Sequence, residues 1–232
     1  LRHEVVFIDM AVEGSTELLQ GLQAADTPGR QVEIVAMPAG SDGLALITDT
    51  LAGRTGIDAV HILGHADAHG LQLGGTRLDA TTLATHAQAL AAWGASLNAQ
   101  ADLLFYGCDL GASDEGRALV QDIALLTGAD VAASDDLTAN AAHGGDWLLE
   151  YRTGAIESAG AVGEALAPSW SGSLLVQPSG GQTAAHAATA GTSEVTTGTR
   201  SVAMDGQGRF TVIWNNGGDV AYQRFNADGT NA

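Results

Sequence analysis

The chain has 232 residues, 45% of them apolar, which is enough to bury the core of one ordinary domain with an appendage. Its 27 acidic and 9 basic residues give a formal net charge of −18, which argues against a nucleic acid or an anionic membrane surface as partner. The single cysteine, Cys108, excludes an internal disulfide, and the absence of an 18-residue apolar run argues against direct membrane insertion.

Up to residue 134, apolar β-rich runs alternate with runs of helical periodicity. Strands are predicted at 4–10, 32–37, 57–64, 101–108 and 130–134, and helices at 15–25, 41–53, 79–97 and 113–128. A hairpin is predicted at 71–79, with its turn at Gly74-Gly75. Strands that are apolar on both faces and separated by helices are typical of the α/β class, with a mostly parallel sheet and helices on both faces.

The composition changes after about residue 140. Residues 144–156 are predicted to form a hairpin or an edge strand. We expect the main domain to span 1–166, followed by a linker rich in Gly, Ser, Thr and Ala over 167–199. Residues 200–232 then contain three short alternating runs separated by turn residues, which predicts an antiparallel β-meander or the start of a β-repeat array.

Two of the predicted buried strands end on chemically reactive side chains. His65 follows the strand at 57–64, and Cys108 closes the strand at 101–108. Ligands bind at the carboxyl ends of the strands in such sheets. If these two strands are neighbours, His65 and Cys108 face each other at an accessible sheet rim.

This pair suits nucleophilic catalysis on a peptide bond. Cys108 would be the nucleophile and His65 the general acid and base. The backbone amides of Ala66 and Cys108 are candidate donors to the oxyanion. Gly107 would let the substrate backbone approach, flanked by Tyr106 and Asp109. No metal site is predicted in this group.

Several neighbouring residues have alternative roles. His61 lies on the same strand and is expected to pack within the sheet, whereas His69 is a candidate substitute base. Asp67 is a candidate to orient His65, and Asp109 is a candidate to cap its loop. A lone cysteine is most often a small buried hydrophobe, so a structural thiol is the alternative for Cys108.

The stretch "VHILGHADAHGLQLGG" and the blocks "YGC", "LTGADVAAS" and "GGDWLLEY" resemble the DUF4347 domain of very large bacterial surface proteins and adhesins. The resemblance covers roughly residues 3–158. It implies a secreted or cell-surface protein, typically exported by type I secretion. The tail from Ser201 resembles the short β-repeats that follow this domain in such proteins.

One predicted strand is followed by His65 and another ends in Gly107-Cys108, and this pattern also resembles the caspase-like cysteine peptidases. In those peptidases a Gly usually follows the His, whereas here the position is Ala66. Members specific for arginine often have an acidic residue two places before the Cys, whereas here the position is Tyr106. The resemblance therefore gives no support for a basic residue before the cleaved bond, and we expect an uncharged or apolar one.

Two functions follow as hypotheses. The first is a cysteine endopeptidase that cleaves its own polypeptide or a companion surface protein, with the Gly/Ser-rich segment around 168–199 as the place of the cut or as a strand in the cleft. A catalytic Cys108 is then expected to react fast with a thiol probe at neutral pH. The second is a non-catalytic module of an adhesin. No cofactor is required, although turns at 205–208 and 226–229 make calcium binding possible.

Overall fold

The computed structural model describes residues 1–25, 28–163 and 166–174, together with the backbone of three strands between residues 201 and 225. The chain divides into two compact units, Leu1–Gln177 and Pro178–Ala232. The first unit contains all the predicted site residues, so its architecture decides how they meet.

The first unit has nine strands, four helices and one short 3-10 helix among its described residues. The strands are β1 (Arg2–Asp9), β2 (Arg30–Met37), β3 (Ile57–Leu63), β4 (Ala66–Asp67), β5 (Gly70–Leu73), β6 (Thr76–Asp79), β7 (Leu97–Tyr106), β8 (Asp130–Ala133) and β9 (Tyr151–Arg152). The helices are α1 (Ser15–Ala24), α2 (Gly43–Leu51), α3 (Leu83–Gly94) and α4 (Asp114–Thr127), and the 3-10 helix is Ala141–His143.

A six-stranded sheet in the order β2-β1-β3-β7-β8-β9 forms the centre of this unit. Its first five strands are parallel, and β9 pairs antiparallel with β8 at the edge. A separate three-stranded sheet contains β4, β5 and β6, in which Leu73 pairs with Thr76 across the predicted Gly74-Gly75 turn. The mostly parallel α/β sheet is therefore confirmed.

Both faces of the large sheet carry buried apolar clusters. Side chains of α2, α3 and α4 pack with Phe7 and Phe105 on one face. On the other face, Leu18 and Leu22 of α1 pack with Ile8 and Tyr106. Successive residues of a strand point to opposite faces, which is why the apolar runs predicted from sequence supply both clusters. Helices therefore cover both faces, as predicted.

Local signals account for most helix ends. The Asp42 carboxylate accepts the Ala45 amide at the start of α2, and the Ser113 hydroxyl accepts the Gly116 amide at the start of α4. Gly128 ends α4 with a φ of 72°, which favours glycine. The helix expected over 79–97 is shorter because the Asp79 carboxylate accepts the amides of two threonines and forms a turn there. None of the described helices is both long and apolar enough to cross a bilayer.

The second unit contains the three strands β10 (Ser201–Met204), β11 (Phe210–Asn216) and β12 (Asp219–Phe225). They pair antiparallel in chain order, so the predicted meander is confirmed. The predicted turns at 205–208 and 226–229 lie outside the described residues.

The linker predicted over 167–199 begins too early. Trp170 and Leu174 are completely buried in the core cluster on the α1 face of the first unit. Burial of two large apolar side chains outweighs the Gly- and Ser-rich local composition. The first unit therefore extends beyond the expected boundary at residue 166.

Candidate functional site

The strands that carry His65 and Cys108 are direct neighbours. β3 and β7 pair in parallel up to Leu63 opposite Tyr106, and the Gly64 amide continues the ladder to the Tyr106 carbonyl at 3.3 Å. His65 and Cys108 each lie two residues beyond this last pair. The sequence-based expectation that both residues lie at the same rim of one sheet is confirmed.

Alternation along the chain indicates that the two residues belong to the same face of the sheet. Cys108 lies with Tyr106 in the cluster on the α1 face, whereas Ala66 lies in the cluster on the opposite face. A Cβ placed on Gly107 would come within 2.5 Å of the Ala66 Cβ, so Gly107 points to that opposite face as well. Because successive side chains of an extended chain point to opposite faces, the residue before Ala66, His65, is expected on the same face as Cys108.

Gly107 has a packing role in this arrangement. The space beside its Cα is occupied by Ala66, whose backbone nitrogen would lie 3.1 Å from an added Cβ. A glycine at this position lets the loop after β3 approach the loop after β7. Gly107 thereby sets the separation of the two loops that carry His65 and Cys108.

The Cys108 thiol is fully buried. Its Sγ donates to the Thr138 carbonyl at 3.9 Å, and the side chain has no exposed surface. Burial raises the pKa of Cys108 to about 11, with the charge of Asp109 acting in the same direction and the backbones of Thr138 and Leu174 acting against it. The expectation of an accessible, readily ionised thiol is therefore wrong.

His65 is buried, with 9% of its surface exposed. Its carbonyl accepts the Gln72 amide at 2.8 Å, which ties the loop to β5. Its ring Nδ1 is buried and makes no hydrogen bond to any described residue. A buried ring nitrogen without a described partner is unusual, and it marks His65 as a candidate site residue.

Asp67 does not orient His65. Its Oδ1 accepts hydrogen bonds from the Arg77 side chain at 2.6 Å and from the amides of His69 and Gly70. Burial works against ionisation of Asp67, but these donors outweigh it and lower its pKa. The carboxylate thus stabilises its own hairpin.

The other two histidines of this region have separate partners. His61 is completely buried, with Nε2 at 3.1 Å from a Glu4 carboxylate oxygen and Nδ1 at 3.2 Å from the Tyr106 hydroxyl. Burial lowers the pKa of His61, so the neutral ring donates from Nε2 and accepts at Nδ1. His69 pairs with Glu115 at the surface, at 2.6 Å. His61 thus packs in the sheet, as expected.

Tyr106 and Asp109 flank the cysteine in different ways. The Tyr106 hydroxyl accepts the Ala161 amide at 2.8 Å, and the side chain is 1% exposed, so it forms part of the core instead of a path to solvent. Asp109 has a φ of 61°, and its amide donates to the Asp136 carbonyl at 2.9 Å. Its carbonyl accepts the Ala112 amide. Asp109 therefore forms the tight turn after Cys108.

Leu174 lies at the site, within the segment around 168–199 that the sequence suggested as a strand in the cleft, although the sequence did not single out this residue. Its amide donates to the Thr138 carbonyl at 3.0 Å, and its carbonyl accepts the Ala66 amide at 3.3 Å. The preceding residue, Ser173, forms an antiparallel bridge with Ala139. The chain's own backbone thus lies extended against the loops that carry His65 and Cys108. The sequence contained one signal for this contact, since Trp170 and Leu174 are large apolar residues within a Gly/Ser-rich stretch.

We call residues 168–174 the occluding segment. Trp170 is completely buried, and its Nε1 donates to the Gly14 carbonyl at 3.1 Å. Asn140 donates from Nδ2 to the Trp170 carbonyl at 3.1 Å and also to the Pro168 carbonyl. Contacts with Gly14 and Asn140 therefore hold the segment in place near Cys108.

Two groups of carboxylates have the spacing of metal ligands among the described residues. They are Asp102 with Asp130 and Glu157, and Asp136 with Asp146 and Glu150, whose oxygens lie within 4.8 Å of one another in each group. Such oxygen ligands suit calcium. The turns at 205–208 and 226–229 that suggested calcium from sequence lie outside the described residues, and calcium binding stays a prediction.

Comparison with known proteins identifies a domain family. A family model described as "Domain of unknown function (DUF4347)" matches residues 5–174. No curated protein and no solved structure matches the chain. The matched region ends at Leu174, the residue whose carbonyl accepts a hydrogen bond from the Ala66 amide.

Proposed function

The chain belongs to the DUF4347 family, and from that premise we propose that its first unit is a cysteine endopeptidase of caspase-like architecture. Its substrate is its own polypeptide or a companion surface protein. One observation carries the proposal: a backbone carbonyl, that of Leu174, accepts the Ala66 amide beside the Cys108 thiol. A peptidase site needs this combination of an amide donor, a carbonyl and a nucleophile.

The proposed chemistry starts from a neutral thiol, since burial raises the pKa of Cys108 to about 11. His65 accepts the thiol proton as the sulfur bonds to the carbonyl carbon, and the Ala66 amide stabilises the oxyanion, with the Cys108 amide as the second predicted donor. His65 then gives the proton to the leaving amine as the C–N bond breaks. Water hydrolyses the resulting thioester and restores the thiol.

The location of the protein is a further part of the proposal. The resemblance to domains of large bacterial surface proteins supports a secreted or cell-surface location. The absence of any disulfide partner for Cys108 and the formal charge of −18 are compatible with export of an unfolded acidic chain. No cofactor enters the proposed reaction.

The test uses the whole 232-residue chain together with its Cys108→Ala and His65→Ala variants. We expect new amino termini, read by mass spectrometry, in the chain itself or in an added peptide library. Both variants should lose these products while keeping the far-ultraviolet spectrum of the wild type. The same products in all three proteins, or none in any, would contradict a peptidase function.

A second candidate function is a non-catalytic module of a surface protein, and the burial of Cys108 favours it. A thiol with no exposed surface and a hydrogen bond to the Thr138 carbonyl resembles a structural cysteine. In that case Cys108→Ala changes thermal stability only, and no peptide bond is cut in its presence or absence.

A further inference from the structure

We propose that the enzyme cuts its own chain at the peptide bond between Leu174 and Leu175; this inference rests on the proposed peptidase function and names its substrate. The four residues that precede this bond, from Ser171 to Leu174, would be the substrate's recognised part. Leu175 would become the new amino terminus, according to the sequence.

The carbonyl position selects this bond. A peptidase attacks the carbonyl whose oxygen accepts a hydrogen bond from the amide that will stabilise the oxyanion. Here the Ala66 amide donates to the Leu174 carbonyl oxygen at 3.3 Å. The backbone of Leu174 is also close enough to the thiol to influence the pKa of Cys108. The acyl group of the thioester is therefore that of Leu174.

The backbone of the occluding segment has the conformation of a bound peptide. Ser173 bridges Ala139 antiparallel, and the Leu174 amide donates to the Thr138 carbonyl at 3.0 Å. Main-chain pairing with an exposed edge is a general way in which proteins hold extended peptides. The 138–139 backbone thus serves as the edge that aligns the substrate.

The side chain of Leu174 lies in an apolar environment. It is completely buried and shares its cluster with Tyr106, Leu149 and Trp170. Asp109 and Asp136 are the charged groups that affect the nearby thiol, so a carboxylate at this position would meet both repulsion and desolvation. The site therefore selects a large uncharged residue before the cut.

The step balances without a co-reactant other than water. The Cys108 sulfur bonds to the Leu174 carbonyl carbon, and the thiol proton passes through His65 to the nitrogen of Leu175 as the C–N bond breaks. Water then adds to the thioester, its hydroxyl going to the carbonyl and its proton to the thiol. The products are a chain that ends at Leu174 and a second chain with a free amine.

Two boundaries agree with this position. The region matched by the family ends at residue 174, and the first compact unit ends at Gln177. From the sequence, the next residues begin the stretch rich in Gly, Ser, Thr and Ala. A cut after Leu174 would therefore separate the second unit from the chain and leave the region matched by the family in one piece.

The experiment incubates the purified 232-residue chain and maps its fragments by intact mass and amino-terminal sequencing. We expect fragments 1–174 and 175–232 from the wild type and an uncut chain from Cys108→Ala. Leu174→Met should still be cut at the same bond, whereas Leu174→Asp should be cut at least about tenfold more slowly, because a carboxylate would be desolvated there. Thermal melting of each variant reports whether it is folded.

The outcomes separate this inference from the proposed function. A Cys108-dependent cut at another bond overturns the inference and leaves the peptidase function standing. An uncut wild-type chain together with Cys108-dependent cleavage of added peptides also overturns the inference and leaves the peptidase function standing. An uncut wild-type chain that also cleaves no peptide overturns both, and a cut after Leu174 that persists in Cys108→Ala assigns the cleavage to another protease.

Discussion

The Ala66 amide donates a hydrogen bond to the Leu174 carbonyl across 108 positions of sequence, at 3.3 Å. This contact joins the loop after the third strand of the sheet to the end of the first unit. It also explains why Cys108 is buried, since the same segment that reaches Ala66 lies against the thiol. Access to the cysteine therefore depends on how firmly the occluding segment is held.

The first prediction concerns the reactivity of the thiol. With a pKa of about 11, Cys108 carries about 100-fold less thiolate at pH 8 than an ordinary cysteine, so alkylation by iodoacetamide should be slow in the native chain. Trp170→Ala removes the anchor of the occluding segment and should accelerate the reaction, measured by mass spectrometry.

The control for this measurement is Leu125→Ala, which removes a large apolar side chain that is 82% exposed. Trp170→Phe keeps an aromatic ring and loses the hydrogen bond to the Gly14 carbonyl, so its effect should be intermediate. Rapid labelling of the wild type would show that the occluding segment does not protect Cys108 in solution.

The second prediction concerns the contact between the two site loops. In Gly107→Ala the added Cβ would lie 2.5 Å from the Ala66 Cβ, so the loop that carries His65 must move. Such overpacking costs about 1–3 kcal/mol of stability. A shift of the catalytic groups by about 1 Å can slow a reaction about 100-fold, so self-cleavage should be strongly reduced.

Gly163→Ala is the matched substitution, since no described atom lies within 4 Å of its added Cβ. It should be cleaved at the wild-type rate and melt at the wild-type temperature. Wild-type cleavage by Gly107→Ala would mean that the spacing of these loops does not control the reaction.

The third prediction concerns Asn140, whose side chain holds the occluding segment. Asn140→Asp keeps the oxygen that accepts the Ala142 amide but loses the donor to the Pro168 and Trp170 carbonyls. We expect slower cutting after Leu174, by about thirtyfold if two hydrogen bonds of about 1 kcal/mol each are lost, and faster alkylation of Cys108. An unchanged thermal melting temperature in this variant would exclude a general loss of structure as the cause, and unchanged cleavage would contradict the holding role of Asn140.

The fourth prediction concerns stability at acidic pH. Burial of Glu4 opposes its ionisation, but hydrogen bonds from His61 and from Arg30 outweigh it and hold the pKa of Glu4 at about 2, below its ordinary 4.5. A folded-state pKa below the unfolded value stabilises the protein above pH 4.5, and this stabilisation, about 3 kcal/mol, disappears as the pH falls towards 2. Burial also lowers the pKa of His61, so stability should already decline below about pH 6.5.

Urea unfolding midpoints from about pH 7 to about pH 3 test this expectation. Glu4→Gln should be less stable than the wild type at neutral pH, because the Arg30 charge loses its partner, and the difference should shrink as the pH falls below about 4.5. A constant difference over this range would show that Glu4 titrates normally in the folded protein.

The parallel sheet and the position of the reactive pair could be predicted from sequence, because both depend on local patterns. Apolar runs between helical runs imply parallel neighbours, and the chain positions of His65 and Cys108 at the strand ends put them at one rim. The sequence suggested a strand in the cleft only as one option for the range 168–199, and the particular cover over Cys108 could not be predicted. It depends on contacts of Trp170 with Gly14 and of Leu174 with Ala66, which no local pattern of a Gly/Ser-rich stretch encodes.

The anchoring of Trp170 has a consequence for the number of reactions that each molecule performs. If the bond after Leu174 is cut, the new carboxyl terminus stays tethered in the cleft by the buried indole and by Asn140. Such a molecule would complete a single turnover and then act as its own stoichiometric inhibitor. It would separate the downstream polypeptide once and would not go on to cleave neighbouring proteins.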